Sequence, residues 1–102
     1  GWWLLKSSAS TQESVVCRAL MSAGADVAIV VRRRDGVTRL TSRASRQAIV
    51  EGVQLGSILD DLADAHGGEG GGHDGAAGWS SDLDVIAVES AFIHALTDIP
   101  RS

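Results

Sequence analysis

The residues best equipped for chemistry in this 102-residue chain lie in one stretch, Gly67-Gly68-Glu69-Gly70-Gly71-Gly72-His73-Asp74-Gly75-Ala76-Ala77-Gly78. Seven of these twelve residues are glycine. Glycine reaches backbone angles closed to other residues and lets another molecule come close to the chain. Successive backbone N–H groups in a glycine-rich turn can converge on an anion. A helix starting near His73 would add its own free N–H groups. The stretch therefore predicts a phosphate cradle at Gly70, Gly71 and Gly72, followed by one side chain, His73, that can hydrogen-bond a phosphoryl oxygen. Glycine-rich runs also serve as flexible linkers. A linker usually carries serine and polar filler on both sides, whereas this run ends directly in His-Asp-Gly-Ala-Ala-Gly.

Other chemistry is poorly supplied. The sequence contains no Cys-x-x-Cys, no His-x-x-x-His and no Gly-x-Ser-x-Gly. A Walker loop needs Gly-Lys-Ser/Thr after its glycines, and His73 stands in place of the lysine. A dinucleotide fingerprint needs its glycines directly after the first strand, and here they come late. Asp60, Asp61 and Asp64 fall on the wet side of an amphipathic helix, where solvated charge is the ordinary outcome. His66 and His94 sit near predicted helix ends and read as structural. Upstream, Arg39 and Arg43 share one face of a predicted strand. Arg39 reads as a solvated edge charge. Arg43 closes a hydroxyl-rich cluster, Thr41-Ser42-Arg43-Ala44-Ser45, and with Ser42 is the expected partner of His73 at a phosphate.

The elements that must position these groups follow from periodicity. Trp2 to Lys6 is bulky and apolar, as in a short strand. Ser10-Thr11-Gln12-Glu13 fits a capping box, and Val16, Ala19, Leu20 and Ala23 mark one helical face that stops at Gly24. Ala25 to Arg33 is a strand whose run Val27-Ala28-Ile29-Val30-Val31 is continuously apolar, of the kind covered on both sides. Asp35-Gly36 is a hairpin signal, and Val37 to Ala44 alternates as the return strand. Arg46 to Glu51 forms a short helical turn, and Leu55, Ile58, Leu59 and Leu62 mark the next helix. After the glycines we expect a single helical turn through Gly75–Gly78 and a short strand at Trp79-Ser80. The last helix is capped by Ser81 or Asp82, carries Val85, Val88, Phe92 and Leu96 as its apolar stripe, and ends at Pro100. The resulting order, β-α-β-β-α-(Gly loop)-β-α, predicts an α/β domain with one mixed sheet and packed helices.

Composition bounds the rest. A chain of 102 residues with 44% hydrophobic content is most simply one domain, spanning 1–102. Net charge is −4, which argues against a basic nucleic-acid wrapper. The charge is uneven. Residues 1–50 hold eight basic and three acidic side chains, and residues 51–102 hold one and ten. An anionic ligand should approach from the side of the first half. The single cysteine, Cys17, reads as a buried thiol in a reducing compartment, hence a cytoplasmic location. No run approaches the ~18 apolar residues of a membrane span. A start at Gly rather than Met suggests an excised piece of a longer protein.

The element Gly70-Gly71-Gly72-His73-x-x-Ala76-Ala77-Gly78 resembles the signature of the DHH-associated C-terminal domain, the second half of DHH phosphoesterases. Thr41 to Ser45 resembles the family's Ser/Arg strand motif. Gly52-Val53-Gln54-Leu55-Gly56 resembles the segment opening its intervening helix. The matches come in the family's order and spacing over about residues 26–80. The variant with Glu69 and Asp74 is most similar to archaeal RecJ-like proteins, single-strand exonucleases or related phosphoesterases. The resemblance implies that a preceding DHH domain carries a two-manganese centre on Asp and His ligands, and that this domain closes over it. By motif match, Gly70, Gly71, Gly72 and His73 would contact the scissile or a neighbouring phosphate, and Arg43 with Ser42 another phosphate or the nucleotide. The implied partners are single-stranded nucleic acid or a nucleotide phosphate and the parent's DHH domain. No Asp-His-His motif occurs here. This chain is therefore expected to hold no cofactor of its own and not to hydrolyse substrate alone. Two other roles carry the same loop. One is in an enzyme for cyclic dinucleotides or nucleoside bisphosphates. The other is a non-catalytic nucleic-acid-binding or assembly module, as in alanyl-tRNA synthetases, where a homodimer is also a partner.

Overall fold

The computed structural model describes residues 1–8 and 12–101. In chain order the elements are β1 (Leu4–Ser8), α1 (Glu13–Ser22), β2 (Val27–Arg34), β3 (Val37–Ala44), α2 (Arg46–Val50), α3 (Leu55–His66), β4 (Glu69–His73), β5 (Ala76–Ser81) and α4 (Val85–Thr97). The strands form one mixed sheet in the order β1-β2-β3-β5-β4. β1 runs parallel to β2, and the other neighbours are antiparallel. This is the expected α/β architecture, with one more strand than the sequence predicted.

Burial follows the two periodicities. Val27 through Val31 are all buried because β2 is covered on both faces. One face of the sheet carries the main core, where Val27, Ile29, Val31, Leu40, Ala77 and Trp79 meet α2, α3 and α4. On the opposite face α1 lays Cys17 and Leu20 against Ala28 and Val30, and it packs on β1, β2 and β3. Asp35 (φ 53°) and Gly36 (φ 78°) turn β2 into β3, the left-handed pair that a type I′ hairpin needs. Gly24 (φ 99°) ends α1 as expected. No helix among the described residues is long and apolar enough to cross a membrane.

Several boundaries differ from expectation. The glycine stretch is no loop. Residues 69–73 form the edge strand β4, and the helical turn expected through Gly75–Gly78 is instead a two-residue connection leading into β5. With His73 paired to Ala76, the connection is Asp74-Gly75, the same dipeptide type that turns β2 into β3. The cap of α4 is Asp84, whose carboxylate accepts from the Ala87 N–H at 2.7 Å. Ser81, expected to cap it, accepts from Leu83 N at 3.2 Å instead. The capping box expected at Ser10 to Glu13 falls partly on residues 9–11, outside the described residues. α2 is capped by the Ser45 hydroxyl, which accepts from Ala48 N.

Candidate functional site

Antiparallel register places paired residues on the same face, so the sheet can be read in rows. On the α1 side, Arg43 pairs with Ala76 and Ala76 with His73. Two residues along, Thr41 pairs with Gly78 and Gly78 with Gly71. Two further, Arg39 pairs with Ser80 and Ser80 with Glu69. Small residues of β5 (Ala76, Gly78 and Ser80) thus form the middle of a trough. Its walls are Arg39, Thr41 and Arg43 on β3 and Glu69, Gly71 and His73 on β4. The trough lies beside α1, and its β4 wall is exposed. The end holding Arg39 and Glu69 opens into a depression of about 250 Å³ over Gly71 and Gly78.

The glycines divide into two classes. A Cβ at Gly70 would overlap the Leu59 carbonyl oxygen of α3 and lie 2.9 Å from its carbon. At Gly72 (φ 144°) it would come within 2.5 Å of Ala76 O and the Ala77 Cα. These two let β4 lie close to α3 and to β5. Gly71 differs, because a Cβ there would meet nothing within 4 Å. Gly78 is similar: its nearest atoms would be Leu40 O at 3.4 Å and Arg39 Nη2 at 4.0 Å. No packing in this chain requires glycine at 71 or 78, and both face the trough. The Arg39 guanidinium reaches over this glycine floor.

The expected cradle of converging N–H groups is therefore absent at Gly70–Gly72. Along a strand, successive N–H groups point alternately to opposite sides, so Gly71 offers an open floor rather than part of a nest, while Gly70 and Gly72 serve packing. Ser42 and Arg43, expected to act together, leave β3 on opposite faces. Ser42 is 1% exposed, and its hydroxyl donates to Ala77 O at 2.8 Å in the core. Arg43 shares the trough with His73. Arg39, read from sequence as a solvated edge charge, lies at the other end of the same wall. Glu69, Gly78 and Ser80 were not among the site residues expected from the sequence. The signal that would have found them is Asp74-Gly75, which fixes the register of β4 on β5.

The site is held from three sides. The turn is tied to α3 by Leu55 N donating to Asp74 O at 3.2 Å, and to β3 by Ala44 N donating to Gly75 O at 3.0 Å. Trp79, buried on the core face, donates its Nε1–H to Gly67 O at 3.0 Å and so fixes the entry to β4. The His66 ring lies 6.1 Å from that of Trp79. Arg39, Arg43, Glu69 and His73 make no ion pair or side-chain hydrogen bond within the described residues. Behind the trough, burial pushes the Cys17 thiol up, partly offset by the nearby Arg43 charge. Its S–H donates to Ala28 O at 3.4 Å. Among the described residues no three His, Cys, Asp or Glu side chains are placed to hold a metal ion.

Comparison with known proteins bears on this arrangement. The model of the DHHA1 domain matches residues 7–99. The chain belongs to the DHHA1 domain family. A protein of Methanocaldococcus jannaschii, described as uncharacterised, is 34% identical to this DHHA1 domain over 80 residues, covering 76% of the chain and 24% of the relative. The chain thus spans about a quarter of the length of that relative. Among solved structures, the C-Ala domain of Aquifex aeolicus alanyl-tRNA synthetase superposes with a TM-score of 0.68 at 14% identity, covering 94% of this chain and 88% of that one. A DHH domain described as a member of the s1p family of ribosomal proteins gives 0.62 at 18%, covering 85% and 21%. A pGpG-specific phosphodiesterase from Vibrio cholerae gives 0.55 at 16%, covering 76% and 26%. At these identities the three share the fold. DHHA1 is a C-terminal module of DHH-superfamily proteins.

Proposed function

We propose that this DHHA1 domain holds a nucleotide by its phosphate in the trough between β3 and β4, for a phosphoesterase reaction completed by a DHH domain. The observation that carries this reading is the pair Gly71 and Gly78. They keep the floor open where packing asks for nothing, between a wall with Arg43 and a wall with His73. An oxygen of a phosphate can lie against such a floor while Arg43 donates a charge-assisted hydrogen bond to it and His73 donates from a ring N–H. In a hydrolysis, the same donors would stabilise negative charge growing on the phosphoryl oxygens. The manganese centre that the resemblance assigns to the DHH domain has no ligand set among the described residues.

The Glu69 and Asp74 variant of the motif supports a RecJ-like single-strand exonuclease as the parent. The trough itself favours a shorter substrate. Long single strands stack their bases on exposed aromatic rings. Among the described residues no Trp or Phe lines this trough: Trp79 and Phe92 are buried in the core, Trp2 lies against Arg101, and the exposed Trp3 lies against Gly24. A nucleotide or dinucleotide fits better, which is the substrate scale named for the pGpG-specific phosphodiesterase that shares the fold.

Calorimetric titration of the chain with mononucleotides and with oligonucleotides of increasing length tests both points. Binding is weak, weakens with salt, and gains little beyond a dinucleotide. Arg43→Ala, His73→Ala and Gly71→Val each weaken it by about tenfold, the effect of losing one charge-assisted contact or of filling the floor. Affinity unchanged in all three variants would remove the trough from the phosphate site. Affinity rising steadily with oligonucleotide length would restore the long-strand reading.

A further inference from the structure

One end of the trough carries groups that a phosphate alone does not use. Arg39 and Glu69 lie in one row on either side of Ser80, border the same depression, and are both exposed. Neither makes an ion pair or side-chain hydrogen bond with the other or with any described residue. The row is four residues from the row of Arg43 and His73, roughly 13 Å along the strands. That separation suits two ends of one nucleotide.

The chemistry of the two ends differs. Arg43 and His73 are donors, matched to an anion. The Arg39 row offers a guanidinium fork, a hydroxyl and a carboxylate, so it asks for a ligand edge with acceptors on one side and donors on the other. Guanine has both. Its O6 and N7 accept from an arginine fork, and its adjacent N1–H and N2–H groups match the two oxygens of a carboxylate. Adenine, cytosine and uracil each present at most one N–H-bearing nitrogen to such a carboxylate.

We propose that Arg39, Ser80 and Glu69 form a base subsite that selects guanine. This rests on the reading of the Arg43–His73 end as the phosphate end. Arg39 donates to O6 and N7, Glu69 accepts from N1–H and N2–H, and the Ser80 hydroxyl lies between them on the floor. The glycines at 71 and 78 leave room for the ring.

Titration of the chain with GMP, IMP, AMP and inorganic phosphate, followed by backbone amide shifts of residues 69–80, tests the subsite. IMP lacks only the 2-amino group of GMP. GMP binds about tenfold more tightly than IMP or AMP, within the discrimination of one bidentate contact. Glu69→Gln brings GMP to the affinity of IMP while leaving inorganic phosphate unchanged, and Arg39→Ala narrows the gap between GMP and AMP. Equal affinities for the three nucleotides, with phosphate-dependent shifts at His73, overturn the base subsite and leave the phosphate end standing. A preference for GMP over IMP that survives Glu69→Gln also overturns it. No shift with any nucleotide or with phosphate overturns both.

Discussion

Gly70 and Gly71 are adjacent, identical in sequence, and opposite in what the fold asks of them. Replacing Gly70 by alanine puts a methyl group into the Leu59 carbonyl, with the carbonyl carbon 2.9 Å away and the Ala63 Cβ 3.3 Å away. Carbon contacts of this kind ordinarily begin near 3.4 Å. Backbone on both sides is the obstacle, so β4 and α3 must separate by at least half an ångström. Overpacking of that kind costs about 1–3 kcal/mol. Replacing Gly71 puts the methyl group into open space and removes a glycine from a strand, which gains about 0.5–1 kcal/mol. The glycine gain is common to both positions, so the two variants should differ by the overpacking cost, roughly 2 kcal/mol. At about 4–8 °C per kcal/mol for a domain of this size, the gap in Tm is about 8–16 °C. Thermal unfolding followed by far-UV circular dichroism measures it. Gly71→Ala should melt at or slightly above the parent, and Gly70→Ala well below it. Equal Tm values, or Gly71→Ala as the less stable variant, would refute the division of the glycines and with it the argument that the floor is kept open for a ligand.

Two more outcomes follow from charge and burial. Arg101 bonds to Asp26 at 2.6 Å and to Glu51 at 3.0 Å. Its hydrogen bonds hold both carboxyls below their usual values. Lowered carboxylate values stabilise the fold above the unfolded-chain values near 4 and lose that contribution as pH falls through the folded ones. Tm should therefore drop from pH 5 to pH 2 less steeply in Arg101→Ala than in the parent, and parallel curves would show the pairing to be silent. Cys17 is fully buried and its thiol is pushed up by that burial. It should resist a thiol-reactive dye at pH 8 and react fully in denaturant, and rapid labelling of the folded chain would show α1 to be loosely packed on the sheet.

The sequence made some elements plain and hid others, for physical reasons. The run 27–31 was legible as an unbroken apolar stretch and 55–62 from its helical period, and both have a core to meet. The α2 turn was legible from its position before Gly52. The strand at 69–73 was not, because Glu-Gly-Gly-Gly-His has no apolar alternation and low strand propensity. It is a strand because β5 and α3 offer it a ladder and a surface that only glycine can approach. The expected nest and the expected helical turn both came from treating the stretch as free of neighbours. Arg43 and His73 were found by residue type, and the register brings them to one row. Ser42 was grouped with Arg43 by sequence adjacency, which in a strand means opposite faces. Arg39 was set aside for want of a partner that only the β4–β5 register supplies.

The Arg101 cluster has a mechanical consequence. Its guanidinium stacks 4.7 Å over the Trp2 ring and donates to Gly1 O at 3.2 Å, while Trp2 Nε1–H donates to Ile99 O at 2.9 Å. The first and last described residues therefore meet at one corner of the domain. A force applied between them does not stretch the sheet lengthwise. It loads this cluster first, and beyond it the edge strand β1 and the end of α4. The trough, whose near wall β3 is two strands from β1, would keep its shape while the corner gives, so a pull at that corner can move the domain without reshaping its floor.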